Sequence, residues 1–192
     1  MCKYVPFSDL EKDLNRFRNT KDNDIEDFIR HKAISYEKRH WCSVYLLVNT
    51  EQLMQKKSIF VEGYFTLSHK VFLLQDNVSN NVRKELFNGV MKDDDYLHTV
   101  LIGQLGKYID QGNCECSDIT MGDLLDKAIN IITYADTLIP CRCVLLECRD
   151  YHEEESDFED RKKLHSKYID YGFKAIQKSE DLIQYVKRIS AE

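Results

Sequence analysis

Proline and glycine are scarce in this sequence, with 2 Pro and 7 Gly among 192 residues, and Trp occurs once. So few interrupters of regular structure exclude collagenous, Pro-rich and Gly/Ser-linker classes, and no repeat or low-complexity tract divides the chain. Long apolar runs are also missing. No stretch approaches the roughly eighteen consecutive apolar residues that a membrane span needs. The opening Met1-Cys-Lys-Tyr-Val-Pro6 lacks the charged start and apolar core of a signal peptide, so a cytoplasmic location is expected. An excess of positive charge is absent too. Lys and Arg number 27 against 33 Asp and Glu, a formal net charge of −6. The only basic clusters are short, Lys56-Lys57 and Arg161-Lys162-Lys163, unlike the broad basic face with which nucleic-acid binders neutralise phosphates.

Cysteine is present in a form that excludes a disulfide framework. The count of 7 is odd, and Cys2 and Cys42 stand alone. Cys114-x-Cys116 and Cys141-x-Cys143 are spaced more tightly than the two to four intervening residues usual in structural zinc sites. The thiols read as small apolar residues, and no metal is expected. The acidic stretch from Glu153 to Asp160 reads as a solvated loop. With 43% apolar residues, the chain is of a size to form one domain over residues 1–192.

What is there is a succession of regular elements. Ile25, Phe28, Ile29, Ala33 and Tyr36 mark one face of a helix over 24–38, with Asp24 as N-cap. Ser43–Asn49 is a strand, 50–57 a loop, and Ile59–Ser68 a second strand in which Gly63 signals a bulge or a close backbone approach. A short helix is expected around 82–88, then a strand over Thr99–Lys107. After a polar loop, Leu124, Leu125, Ala128, Ile129 and Ile132 define a helix capped by Thr120. Arg142–Arg149 is a buried strand, and 158–171 a helix stopped by Gly172. Strands at 173–177 and 182–189 close the chain. The strand–helix–strand portion predicts a parallel pair with a right-handed crossover in a mixed sheet.

Several of these segments resemble the GNAT acetyltransferase superfamily. Leu101-Ile-Gly-Gln-Leu-Gly-Lys107 is similar to a Leu-Gly-Arg-Leu-Ala-Val strand of that family, Val61-Glu-Gly-Tyr-Phe-Thr-Leu-Ser68 to a Val-Val-Gly-Tyr-Tyr-Ala-Leu strand, and Tyr168-Ile-Asp-Tyr-Gly-Phe173 to its late Tyr-x-x-x-Gly-Phe signature. The family's pyrophosphate loop, Arg/Gln-x-x-Gly-x-Gly/Ala, aligns with Ser117 to Gly122, where only Gly122 matches. The N-terminal helix with Phe28 and Ala33 also resembles the acetyltransferase toxins of type II toxin–antitoxin systems, and the similarity spans nearly the whole chain.

The resemblance implies a mixed α/β fold, an αβα sandwich whose mostly antiparallel central sheet is splayed at the acyl-CoA site, opening after Leu105. It implies acetyl-CoA as donor, with pantetheine along Leu105, Gly106 and Lys107. The pyrophosphate would lie over Thr120, Met121, Gly122 and Asp123, at a helix N-terminus whose unpaired N–H groups attract anions. It implies Tyr168 as the general acid that protonates the departing thiolate. A phenol of pKa about 10 lies near a thiol's pKa, so that transfer is not uphill.

No Asp or Glu lies on strand 99–107 to act as base. Glu62 and Glu147 are strand carboxylates that could face solvent or a structural partner, and among six scattered His only His165 stands out, one turn before Tyr168. A Lys amine of pKa about 10.4 is under roughly 0.1% neutral at pH 7, whereas an α-amine near 7.8 is neutral at about the ten-percent level. An enzyme without a strong base is therefore better matched to an α-amine or an activated amine. Three functions stay open: a toxin-like enzyme acetylating an aminoacyl-tRNA, a metabolite or protein N-acetyltransferase, and a non-catalytic acyl-CoA-binding or partner-binding module. An antitoxin-like partner and a homodimer stay open with them.

Overall fold

A computed structural model describes residues 7–56, 59–87, 96–113, 115–151 and 157–189. The first elements are α1 (Phe7–Leu14), α2 (Asn23–Asp27), a π-helical turn (Phe28–Lys32), α3 (Ala33–Lys38), β1 (Ser43–Val48), α4 (Thr50–Lys56), β2 (Val61–Leu73) and α5 (Asn80–Leu86). There follow β3 (Tyr96–Lys107), the small pair β4 (Ile109–Asp110) and β5 (Glu115–Cys116), α6 (Met121–Asp136), β6 (Cys143–Arg149), α7 (Phe158–Asp170), β7 (Lys174–Ser179) and β8 (Leu182–Arg188). Six strands form a mixed sheet in the order β1-β2-β3-β6-β8-β7. β3 and β6 pair in parallel through the α6 crossover, while β1–β2, β6–β8 and β7–β8 are antiparallel. This is the mixed, mostly antiparallel α/β sheet that the sequence led us to expect.

Two compact units are distinguishable. The first comprises the described residues of Met1–Ser68 and Gly103–Ala128, the second those of His69–Ile102 and Ile129–Glu192. In the first, Phe17, Phe28, Tyr64 and Tyr108 build an aromatic core. Phe17 meets Tyr64 edge-on at 5.6 Å between centroids, and Phe28 stacks on Tyr64 at 6.0 Å. The buried Tyr64 hydroxyl donates to the Ile25 carbonyl at 2.7 Å, satisfying the one polar atom the ring carries inward. In the second unit Phe72, Leu74, Leu97, Leu145 and Val186 pack under α5 residues Leu86 and Val82.

Four expectations need correction. The helix cap is Asp22, whose carboxylate accepts from the N–H groups of Asp24 and Ile25, so Asp24 falls in the first turn. Residues 50–56 are helical rather than a loop over 50–57, because the Asn49 side chain accepts from the Gln52 N–H at 3.0 Å and caps the helix. Both β2 and β3 are longer than the sequence suggested, because their ends alternate buried Phe72 and Leu97 with exposed neighbours. The parallel ladder ends at Ile102↔Leu146 rather than opening after Leu105.

Candidate functional site

Within the first unit, the end of β3 is tied to the start of α6. The Lys107 ammonium donates to the carbonyls of Ser117 at 3.1 Å and Ile119 at 3.0 Å, and the Asn19 amide donates to the Lys107 carbonyl at 3.1 Å. Lys107 thus shapes the loop before the helix from within. Gly63 and Gly106 make the packing here possible. A Cβ on Gly106 would sit 2.2 Å from Ile25 Cγ2, and one on Gly63 would sit 2.4 Å from Ile119 Cδ1 and 3.1 Å from Leu124 Cδ2. The close approach expected at Gly63 is therefore present, and Leu124, Leu125 and Ala128 anchor α6 fully buried.

Thr120 caps α6 as expected, and its partner is Asp123. The Asp123 N–H donates to the Thr120 hydroxyl oxygen at 3.2 Å, while the Thr120 N–H and hydroxyl each lie 2.7 Å from Asp123 Oδ2. This is a reciprocal capping box with Asp in place of Glu. The Thr120 hydroxyl and N–H hold the Asp123 carboxyl below its ordinary range. Met121 and Gly122 occupy the same first turn, half-buried. The structure thus brings Lys107 and the 117–123 segment together, and directs the nearest carboxylate into a cap.

β3 also carries an irregularity that periodicity does not reveal. The Thr66 hydroxyl accepts the Gln104 N–H at 2.8 Å, a side chain standing in for a ladder acceptor. Gly103 permits it, since a Cβ there would lie 2.9 Å from that hydroxyl oxygen.

Within the second unit, Tyr168 lies in the last turn of α7 and is buried. The Phe173 N–H donates to the Tyr168 carbonyl at 3.0 Å and the Gly172 N–H to the Ile169 carbonyl at 2.9 Å. Gly172 has φ +86, and the Tyr168 and Phe173 rings meet edge-on at 6.4 Å. These are the paired bonds, left-handed residue and apolar contact of a Schellman helix stop. Tyr-x-x-x-Gly-Phe is therefore a structural device that fixes where the Tyr168 ring stands, whatever its hydroxyl does. Burial raises the Tyr168 pKa, with smaller contributions from Cys148 and Tyr185. Burial disfavours every anion in the same surroundings, so proton transfer depends on the difference between donor and acceptor rather than on the phenol alone.

His165, one turn before Tyr168 in α7, is 3% exposed. Its Nε2 lies 3.0 Å from the Arg149 carbonyl and its Nδ1 2.5 Å from the Tyr185 hydroxyl. A carbonyl only accepts, so Nε2 carries the proton and Nδ1 accepts from Tyr185. Burial lowers the His165 pKa, consistent with a neutral ring. Tyr185 also packs on Tyr168, with ring centroids 5.8 Å apart.

The two strand carboxylates have partners. Lys70 Nζ lies 2.8 and 2.6 Å from the two Glu147 oxygens, and the Gln184 amide donates to Glu147 at 2.6 Å. Gln177 continues this chain by donating to the Gln184 side-chain oxygen at 2.8 Å and to the Leu73 carbonyl. Glu62 accepts from Asn49 at 3.2 Å. Glu147 is thus one end of a polar network linking β2, β6, β7 and β8, which no spacing in the sequence announces. Of the paired cysteines, Cys143 is buried and Cys141 Sγ approaches its carbonyl at 3.3 Å, while Cys114 lies outside the described residues. A cavity of about 180 Å³ beside α5, lined by Val82, Leu86, Ile176 and Val186 among others, contains none of the expected site residues.

The sheet order, the parallel β3–α6–β6 crossover and the α7–β7–β8 ending define the GNAT fold. Comparison with solved structures agrees. The toxin AtaT complexed with acetyl-methionyl-tRNAfMet matches 92% of this chain and 87% of its own at a TM-score of 0.64 and 17% identity. A tyrosine-to-phenylalanine mutant of KacT matches 92% and 87% at a TM-score of 0.63 and 14% identity. A tyrosine-to-phenylalanine mutant of AtaT, bound to the C-terminus of the antitoxin AtaR and acetyl-CoA, matches 92% and 85% at a TM-score of 0.58 and 16% identity. No protein-family model and no curated protein matches the chain.

Proposed function

We propose that the chain is an acetyl-CoA-dependent N-acetyltransferase that works by direct transfer in a ternary complex, and that its acceptor is the α-amine of an aminoacyl-tRNA. The observation that carries this reading is Tyr168, a buried phenol locked in orientation by a Schellman turn on a fold shared with AtaT and KacT. The backbone of Leu105, Gly106 and Lys107 and the first turn of α6 at Thr120, Met121, Gly122 and Asp123 would hold acetyl-CoA. Their fit is supported by the Lys107 ammonium beside the loop and by the Asp123 carboxylate being engaged in a cap. In the reaction the neutral amine attacks the thioester carbonyl, the C–S bond breaks, and the sulfur takes the Tyr168 proton. The proton that the amine gives up passes to solvent, since Glu62 and Glu147 are already engaged, and the Tyr168 phenolate regains a proton from solvent to close the cycle. An antitoxin-like protein partner belongs to the same reading.

A second reading, a non-catalytic acyl-CoA-binding or partner-binding module, draws on Ser117 to Gly122, where only Gly122 matches the pyrophosphate-loop pattern of the acetyltransferases. Thiol release from acetyl-CoA, measured against a panel of aminoacyl-tRNAs and small amines including a polyamine, separates these readings. Turnover on an aminoacyl-tRNA is expected. Turnover only on small cationic amines would suit the net charge of −6 and move the protein to the metabolite class. Acetyl-CoA binding with no turnover on any acceptor would leave the module.

A further inference from the structure

His165 is a buried titratable group that the proposed reaction leaves unused. Both of its ring nitrogens are satisfied, one by a backbone carbonyl and one by a tyrosine hydroxyl. Burying such a network demands good partners on every polar atom, and an apolar residue would fill the same space more simply. The network's placement suggests what it is for. β8 pairs with β6 so that Tyr185 stands opposite Leu146, on the sheet face away from Glu147 and Gln184. α7 covers that face with His165 and, three residues on, Tyr168. The Tyr185 ring lies 5.6 Å from His165 and 5.8 Å from Tyr168 between centroids, and Tyr151 closes on His165 at 4.8 Å.

On the reading of Tyr168 as general acid, we propose that His165 is a positioning residue for Tyr168 and acts through Tyr185, whose hydroxyl it orients. The chain of contact is short. The Arg149 carbonyl sets the His165 tautomer, the tautomer makes Nδ1 an acceptor, and Nδ1 accepts the hydrogen bond that the Tyr185 hydroxyl donates. Tyr185, pinned at its hydroxyl end, becomes a fixed wall for the Tyr168 ring, which Phe173 also contacts edge-on. Proton transfer requires the phenol within hydrogen-bond reach of the sulfur, so loss of the wall lowers turnover without removing the acid itself.

The test is a double-mutant cycle on kcat, read by thiol release with acetyl-CoA and the best aminoacyl-tRNA acceptor, with KM for acetyl-CoA and thermal stability measured alongside. Tyr185→Phe should lower kcat about tenfold and leave KM within about twofold. In a Tyr168→Phe background the same change should have no further effect on kcat, because its route to catalysis is gone. His165→Asn, whose side-chain oxygen can replace Nδ1 as acceptor, should retain most of the turnover, whereas His165→Leu should match Tyr185→Phe. Equal losses of kcat in both backgrounds, or an unchanged kcat in Tyr185→Phe while Tyr168→Phe is impaired, overturn the positioning role. An unchanged kcat in Tyr168→Phe instead overturns the general-acid reading beneath it, as does a wild type with no turnover on any acceptor.

Discussion

Replacing Lys107 with Met keeps the length and apolar stem of the side chain and deletes the ammonium. Two charge-assisted hydrogen bonds are lost, to the carbonyls of Ser117 and Ile119. At roughly 1.5 kcal/mol each they would amount to about 3 kcal/mol. Lys107 is only half-buried, so water replaces part of that. The Ser117 residue is buried, however, and its carbonyl cannot be fully rehydrated without moving the loop. A net loss of about 2 kcal/mol follows, or roughly 4–8 °C in Tm for a chain of this length. Urea denaturation measures it directly, and amide hydrogen exchange should localise the change to residues 117–124. An unchanged midpoint, with unchanged protection of those amides, would show that the ammonium does not hold the loop and would undo the account of how β3 shapes the start of α6.

Acetyl-CoA at about one hundred times its Kd should stabilise the protein by about 2.7 kcal/mol, and Gly122→Glu should abolish the thermal shift by placing a bulky anion in the first turn of α6; no shift with millimolar acetyl-CoA would count against the cofactor assignment. Gly172→Ala should cost about 1 kcal/mol, since the φ of +86 is unfavourable for a Cβ although only the flexible end of Lys187 lies near it, at 3.4 Å; calorimetry showing no loss would contradict the Schellman geometry. Thr120→Ala should lower stability at neutral pH and weaken its dependence on acid. The Asp123 carboxyl is depressed in the folded state, so its contribution is present above its unfolded pKa and vanishes as pH falls through the folded one; an acid limb identical to wild type would refute this. Urea unfolding followed by Trp fluorescence and by circular dichroism should give coincident transitions if residues 1–192 form one domain, and two separated transitions would divide it.

Much of the architecture was readable in the chain because local chemistry and burial agreed. The apolar stripe of Leu124, Leu125, Ala128 and Ile132, bounded by Thr120, names its helix, and Gly172 marks the stop of α7. Gly63 announced a close approach that a Cβ would destroy. Tyr168-x-x-x-Gly-Phe173 pointed to one residue, and the turn it encodes is local enough for sequence to specify. Where the reading erred, a short polar signal was outweighed by a broader pattern. Asn49, which caps the helix at Gln52, reads as the last residue of a strand followed by a polar stretch with the look of a loop, and Asp22 stands beside the equally plausible cap Asp24.

Contacts distant in sequence could be decided only by tertiary structure. Nothing in residue spacing joins Lys107 to the Ser117 and Ile119 carbonyls, Lys70 to Glu147 across 77 positions, or Tyr185 to His165 across 20. Strand pairing brings such partners together, and a change of register by one residue would turn each to the opposite face. Charge and hydrogen-bonding capacity are properties of each residue alone, so the sequence could identify Glu147 and His165 as candidates. Whether a carboxylate is free to act as base, or an imidazole is neutral and pointing its lone pair at a tyrosine, depends on the atoms that surround it, and those are supplied by the fold.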